Sequence, residues 1–259
     1  MRIETKVLHS GYKPENGGPS QVPIVQSTTY RFDSCDHVAE LFDKPTEFMY
    51  SRFANPTCDV VEKKIADLEG GVGCMLTSSG QAASLLSILN LCSAGDSFIA
   101  SSSIYGGTIN LFGFTLKKLG IECIWVDVNA SDDEIKAAFK PNTKAVFGET
   151  IANPALTVFD IERWANVAHQ MNCPLIVDNT FATPYLCRPF EWGADIVVHS
   201  TTNIWMVMLF RVAVVLLIAE TLIGKKFTKQ LENMLIWLNL MKVITVCVML
   251  AILEKLITL

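Results

Sequence analysis

The stretch from Lys144 to Thr202, "KAVFGETIANPALTVFDIERWANVAHQMNCPLIVDNTFATPYLCRPFEWGADIVVHSTT", decides the fold. "KAVFGET" reads as a strand ending in Glu149-Thr150, and "DIERWANVAHQM" as a helix. "PLIVDN" and "ADIVVHS" are two further strands, ending at Asp178-Asn179 and at His199-Ser200-Thr201-Thr202. Strands alternating with helices predict an α/β architecture: a mainly parallel sheet covered by helices on both faces.

The same alternation extends upstream. Val60, Val61, Ile65 and Leu68 have helical spacing, and Gly70-Gly71 stops that helix. "CMLTSS", "DSFIASS" and "ECIWVDV" read as strands. Between and after them, "GQAASLLSILNLC", "GGTINLFGFTLKKLG" and "SDDEIKAAFK" read as helices, the last opened by Ser131 as N-cap. Residues 1–57, rich in Pro and Gly, are expected to form an irregular arm that packs on something else. Residues 58–202 make the large domain, and residues 203–259 an apolar tail.

Bulk properties narrow the class. The chain has 259 residues and a net charge of −5, with no basic tract. Nucleic acid is therefore not the expected partner. The eight cysteines are scattered without a C-x-x-C pair, so no metal site is expected and the thiols are read as reduced, as in a cytoplasm. "MRIETKVLHSGYK" lacks the apolar core of a signal peptide.

In such sheets the ligand lies at the carboxyl ends of the strands. Here those ends are small or polar throughout. Ser79, Gly80 and Gln81 form a strand-to-helix turn whose backbone N–H groups suit an anion, or simply a capped turn. Asp178 could pair with a cationic ring nitrogen of a cofactor, or bind a metal, or cap a helix. Tyr105 could stack on a flat ring or act as an acid/base, or sit at the core's edge. Tyr50 and Arg52 lie in the arm, where Arg52 could bind phosphate or be a solvated surface group. His199 reads as a satisfied strand-end histidine, its side chain opposite to that of Ser200.

Together "YSRFANPT", "SSGQAA", "YGGT", "ETIANP", "VDNTFATPY" and "GADIVVHSTT" resemble, in order, segments of the pyridoxal-phosphate enzymes of cysteine and methionine metabolism. The resemblance covers residues 1–202 nearly without gaps, and "LEGGVGCMLTSSGQAA" and the opening segment look most like the O-acetylhomoserine sulfhydrylases. It implies an aspartate-aminotransferase-like fold of type I, with the C-terminal domain missing, and pyridoxal phosphate as cofactor. It implies that Ser79, Gly80, Gln81, Ser200 and Thr202 hold the phosphate. Tyr105 would stack on the ring, Asp178 would pair with its nitrogen, and Asn153 would touch its phenolic oxygen. Tyr50 and Arg52 would reach a neighbouring subunit's phosphate in a homodimer or homotetramer. The implied reaction is γ-replacement on O-acetylhomoserine with sulfide, giving homocysteine. Cystathionine γ-synthase and γ-lyase chemistry are the alternatives.

The resemblance breaks at Asn203, where the family has its Schiff-base lysine. An amide is neither the required nucleophile nor a proton shuttle, so no such turnover is expected. Adding one base before the Asn203 codon lets "NIWMVM" spell Lys-Tyr-Met-Asp-Gly-His, with Asp and Gly forced by the codons of Trp205, Met206 and Val207. In that frame "IAETLIG" permits Asp-Ser-Gly-Asn-Phe-Asp-Trp. Both resemble the family, so the tail is read as out of frame and the sheet as having lost its last strands. The rival reading is a membrane-associated, non-catalytic remnant, since "MLIWLNLMKVITVCVMLAILEKL" is long enough to span, with Lys242 inside.

Overall fold

The computed structural model describes residues 1–43, 47–201 and 214–218. Two short helices, α1 (Ile3–His9) and α2 (Cys35–Asp43), interrupt the arm, which the sequence reading left irregular. Tertiary contacts make α1 possible: Lys6 Nζ pairs with Asp67 Oδ1 at 2.8 Å, and Lys64 Nζ donates to the Val7 carbonyl at 3.1 Å. No local pattern in "IETKVLH" could announce those partners.

Asp67 and Lys64 belong to α3 (Pro56–Glu69). Asn55 caps it, its side chain accepting the Thr57 N–H at 2.9 Å, with Pro56 at the first turn, where a missing N–H costs nothing. Gly70, at φ 79°, ends it in the left-handed conformation. Next come β1 (Gly73–Thr77), α4 (Gly80–Leu91), β2 (Ser97–Ser101) and α5 (Gly106–Asn110), which runs into a π-helical turn at Leu111–Leu116. Then follow β3 (Glu122–Val126), α6 (Asp132–Ala137), β4 (Thr143–Glu149), α7 (Ile161–Gln170), β5 (Leu175–Asp178), α8 (Thr183–Leu186) and β6 (Ile196–Ser200). Ser131 caps α6 in a reciprocal box with Glu134, as its spacing predicts.

The described strands form one sheet in the order β1-β7-β6-β5-β4-β2-β3, where β7 is Val214–Ile218. Pairs from β6 through β3 are parallel, whereas β7 runs antiparallel to both neighbours. The expectation that the sheet loses its last strands is therefore corrected, since residues 214–218 fill the place between β1 and β6. The rest of residues 202–259, including Asn203 and the proposed spanning segment, lies outside the described residues. Among the described residues no helix is long and apolar enough to cross a membrane.

Side-chain alternation sorts the core into two layers. Phe98, Ala100, Phe147, Ile176, Ile196 and Val198 face α4 and the π-turn. Ile99, Val146, Leu175, Val177 and Val197 face α3, α6 and α7. Phe112 meets Phe98 and Phe147 edge-on, at 4.9 Å between centroids in each case. The central strand β2 is buried throughout, while the edge strand β3 is partly exposed.

Candidate active site

The strand ends converge on a cavity of about 310 Å³, lined by Ser79, Gly80, Gln81, Tyr105, Glu149, Asn153, Asp178, Thr180, Phe181 and Ser200. That volume is at the lower end of the ~300–1,000 Å³ of small-ligand sites. Seven of the residues predicted from sequence are thus brought together. Tyr50 and Arg52 are not among them. Within the arm Tyr50 bridges to Thr29, and the Arg52 guanidinium lies over the Tyr50 and Phe53 rings at 5.0 and 5.3 Å. Thr202 lies outside the described residues.

One end of the cavity is built for an anion. Ser79 caps α4, its Oγ accepting the Ala82 N–H at 3.1 Å, so the free N–H groups and positive dipole end of a helix of 12 residues open there. Gly80 is required by close approach, because a Cβ on it would stand 2.9 Å from Ser200 Cβ. The Ser200 N–H donates to Thr180 Oγ1 at 2.8 Å, which fixes the strand end that carries the hydroxyl. Gln81 turns its amide to Thr108 Oγ1 at 3.0 Å, so its backbone, more than its side chain, faces the turn.

The other end is acidic. Glu149 and Asp178 are direct register partners on β4 and β5. Burial pushes Glu149 up to about 8, the charge of Asp178 adds to this, and N–H groups of Tyr105 and Asn153 draw it back. Burial also raises Asp178, against the Thr180 hydroxyl and N–H and the charge of His199. The Thr180 N–H donates to Asp178 Oδ1 at 3.0 Å and its hydroxyl to the same oxygen at 2.5 Å. Two desolvated carboxylates side by side favour a cation against them.

Tyr105 stands at the cavity wall, 45% exposed. Its N–H donates to Glu149 Oε2 at 2.5 Å. Gly107 makes room for the ring, since a Cβ there would lie 2.5 Å from Tyr105 Cε1. Glu149, Thr180 and Phe181 were not singled out as site residues in the sequence. Thr180 carried a usable signal, a hydroxyl two residues after an Asp at a strand end. Glu149 carried only its place at a strand terminus. His199 is buried on the opposite face, with Nε2 2.5 Å from Glu69 Oε1.

A helix-capped anion cradle, a flat aromatic wall and a buried carboxylate pair around one cavity fit pyridoxal phosphate, which has a phosphate at one end and a protonatable ring nitrogen at the other. The fold is thus that of the aspartate-aminotransferase-like α/β proteins. The chain belongs to the family described as "Cys/Met metabolism PLP-dependent enzyme", whose model matches residues 4–206. It is 46% identical over 206 residues to the O-acetyl-L-homoserine sulfhydrylase of Leptospira meyeri, covering 78% of this chain and 46% of that one. It is 46% identical over 204 residues to the homocysteine synthase of Schizosaccharomyces pombe, covering 78% and 47%. The chain spans about half the length of the curated relatives it matches. Among solved structures it resembles an O-acetylhomoserine (thiol)-lyase from Campylobacter jejuni that carries a pyridoxyl-lysine monophosphate. The TM-score is 0.82 and the identity 36%, over 86% of this chain and 55% of that one. The cystathionine gamma-lyase of Lactobacillus plantarum in complex with L-serine matches with a TM-score of 0.79 at 31% identity, over 93% and 59%.

Proposed function

We propose that this cavity binds pyridoxal phosphate, and that the intact enzyme performs γ-replacement on O-acetylhomoserine with sulfide to give homocysteine. The observation that carries the reading is the anion cradle at Ser79–Gly80 facing the buried Glu149–Asp178 pair across one cavity. Sulfhydrylase and homocysteine synthase names among the relatives support the choice of reaction. When bound, the cofactor supplies an electron sink that makes the substrate's Cα proton acidic.

The chain's own residues do the rest. The N–H groups at Ser79–Gly80–Gln81 and the hydroxyls of Ser79 and Ser200 hold the phosphate, with Thr202 assigned beside them by resemblance. Asp178 keeps a proton on the ring nitrogen, because a carboxylate at that atom favours its charged form. Tyr105 covers the ring and excludes water from it. Asn153 orients the ring from the side of its phenolic oxygen. Tyr50 and Arg52 lie outside their own cavity and are free to serve a second copy, as in a homodimer or homotetramer. Free thiols at Cys35, Cys92, Cys123, Cys173 and Cys187 suit the cytoplasmic setting that we infer.

Asn203 stands where the chemistry needs a nucleophilic amine that also moves protons. We therefore assign this chain cofactor binding without turnover, and read residues 203–259 as translated out of frame. The test is titration of the purified chain with pyridoxal phosphate, followed by an assay of homocysteine from O-acetylhomoserine and sulfide. Saturable binding with no product is expected. No saturable binding would overturn the cavity assignment, and product at the rate of an intact relative would overturn the role given to Asn203.

A further inference from the structure

Two carboxylate–histidine pairs, each with a buried carboxylate, bracket β5 and β6. At the amino ends, Asp195 is 1% exposed. Its Oδ2 accepts the Leu175 N–H at 2.8 Å and lies 2.8 Å from His169 Nε2 on α7. At the carboxyl ends, Glu69, the last residue of α3, is also 1% exposed. Its Oε1 accepts from Asn179 Nδ2 at 3.0 Å and lies 2.5 Å from His199 Nε2.

Glu69 is a costly residue for its position. Burying a carboxylate is expensive, and the C-terminal end of a helix repels it. A well-packed apolar side chain there would cost less. Packing alone therefore does not account for it, but its partners do. His199 directly precedes Ser200, and Asn179 directly follows Asp178. Successive strand side chains point to opposite faces, so a hold on His199 from behind the sheet fixes Ser200 in front of it. Asn179 also accepts the Thr150 hydroxyl on Oδ1 at 2.9 Å, next to Glu149. One carboxylate oxygen of α3 thus gathers the ends of β5 and β6 and, through Asn179, the end of β4. Neither Glu69 nor His199 lines the cavity.

We infer that Glu69 is a positioning residue: from the far face of the sheet it holds Asp178 and Ser200 in the placement that lets one ligand meet both. The inference deepens the cofactor assignment and rests on it for the identity of the ligand. Asp195 provides the control, because it clamps the same two strands with the same chemistry at the ends away from the cavity.

The experiment compares Glu69→Leu, Glu69→Gln and Asp195→Asn in the full chain. Pyridoxal phosphate affinity is read by fluorescence titration of the folded fraction. Hydrogen exchange is read at the Asn179 and Ser200 amides, which bond to the Val198 carbonyl at 2.9 Å and to Thr180 Oγ1 at 2.8 Å. Glu69→Leu is expected to weaken binding about tenfold, the scale of coupling within a shared hydrogen-bond network, and to speed exchange at both amides. Glu69→Gln keeps the acceptor oxygen and stays within about threefold of the parent. Asp195→Asn lowers stability but leaves affinity and those two amides as in the parent. If Glu69→Leu does not fold, His199→Asn, too short to reach Glu69, carries the same expectation. Parent-like affinity and exchange in Glu69→Leu, or equal losses in Glu69→Leu and Asp195→Asn, would overturn the inference. If the parent itself fails to bind, the cavity assignment falls, and the exchange comparison alone decides the positioning role.

Discussion

Gly80 has a Cβ's worth of space removed by Ser200, and the anion end of the cavity depends on that closeness. Gly80→Ala must push the two apart. It is expected to weaken pyridoxal phosphate binding by at least about tenfold while far-UV circular dichroism stays unchanged. Glu149 makes a pH prediction. Its folded value is raised to about 8, above the ordinary ~4.3 of a free glutamate, so the folded state holds the proton more tightly than the unfolded one. The stability this gives is fully present below the ordinary value and is lost as pH rises through about 8. Urea midpoints of the ligand-free chain should fall between pH 5 and pH 9, as the handful of pH units around that value is crossed, and Glu149→Gln should flatten the fall. Equal slopes in both proteins would show that Glu149 does not titrate there. At this scale the sequence was readable wherever a residue type sat in a pattern, as with Ser79-Gly80-Gln81 or Asp178. It gave Glu149 only a place at a strand end, and the residue's meaning comes from having Asp178 as its register partner one strand away.

Among the elements, β4 passes so close to Phe159 that a Cβ on Gly148 would stand 2.4 Å from its Cζ, with two more ring carbons within 2.7 Å. Gly148→Ala overpacks a filled layer and should destabilise the chain by about 1–3 kcal/mol in chemical denaturation, with an unchanged m-value. Phe112→Ala, which empties the centre of the aromatic cluster with Phe98 and Phe147, should cost about 3–5 kcal/mol. At the other end of β5 and β6, the bond to Asp195 raises His169 above its ordinary value. The sign is again loss on raising pH: the pair stabilises fully below the ordinary histidine value of about 6.5 and weakens as pH passes the raised one. His169→Gln should remove that part of the slope in thermal melts. The strands and their covering helices were legible because each carries its own period and its own stop, such as Gly70 or the Ser131 cap. The helix α1 was not, because Asp67 and Lys64, which hold it in place, lie far along the chain.

For the whole molecule, β7 is the strand sequence reading missed. "VVLLI" lies inside a long apolar run without turn signals, so neither its ends nor its pairing could be read. An apolar run of β-branched and aliphatic residues suits a strand whatever its origin, so an out-of-frame origin and a place in the sheet do not conflict. The frame itself is testable. Resequencing the gene from His199 to Gly224 is expected to return one further base and a lysine codon after Thr202. Reads that keep Asn203 and the tail would leave a gene whose product binds without reacting.

The place of β7 also sets a timetable. Among the described strands, β1 joins the rest of the sheet through β7, which pairs Gly73–Thr77 with Val214–Ile218. On the ribosome the strand that leads into the Ser79–Gly80 cradle emerges early, yet its hydrogen-bonding edge stays unclaimed until residue 218 has been made and has left the tunnel. Pairings so distant along a chain close late. The acidic half of the cavity, carried by neighbouring parallel strands, can assemble before β7 is made, and the phosphate half must wait for residue 218.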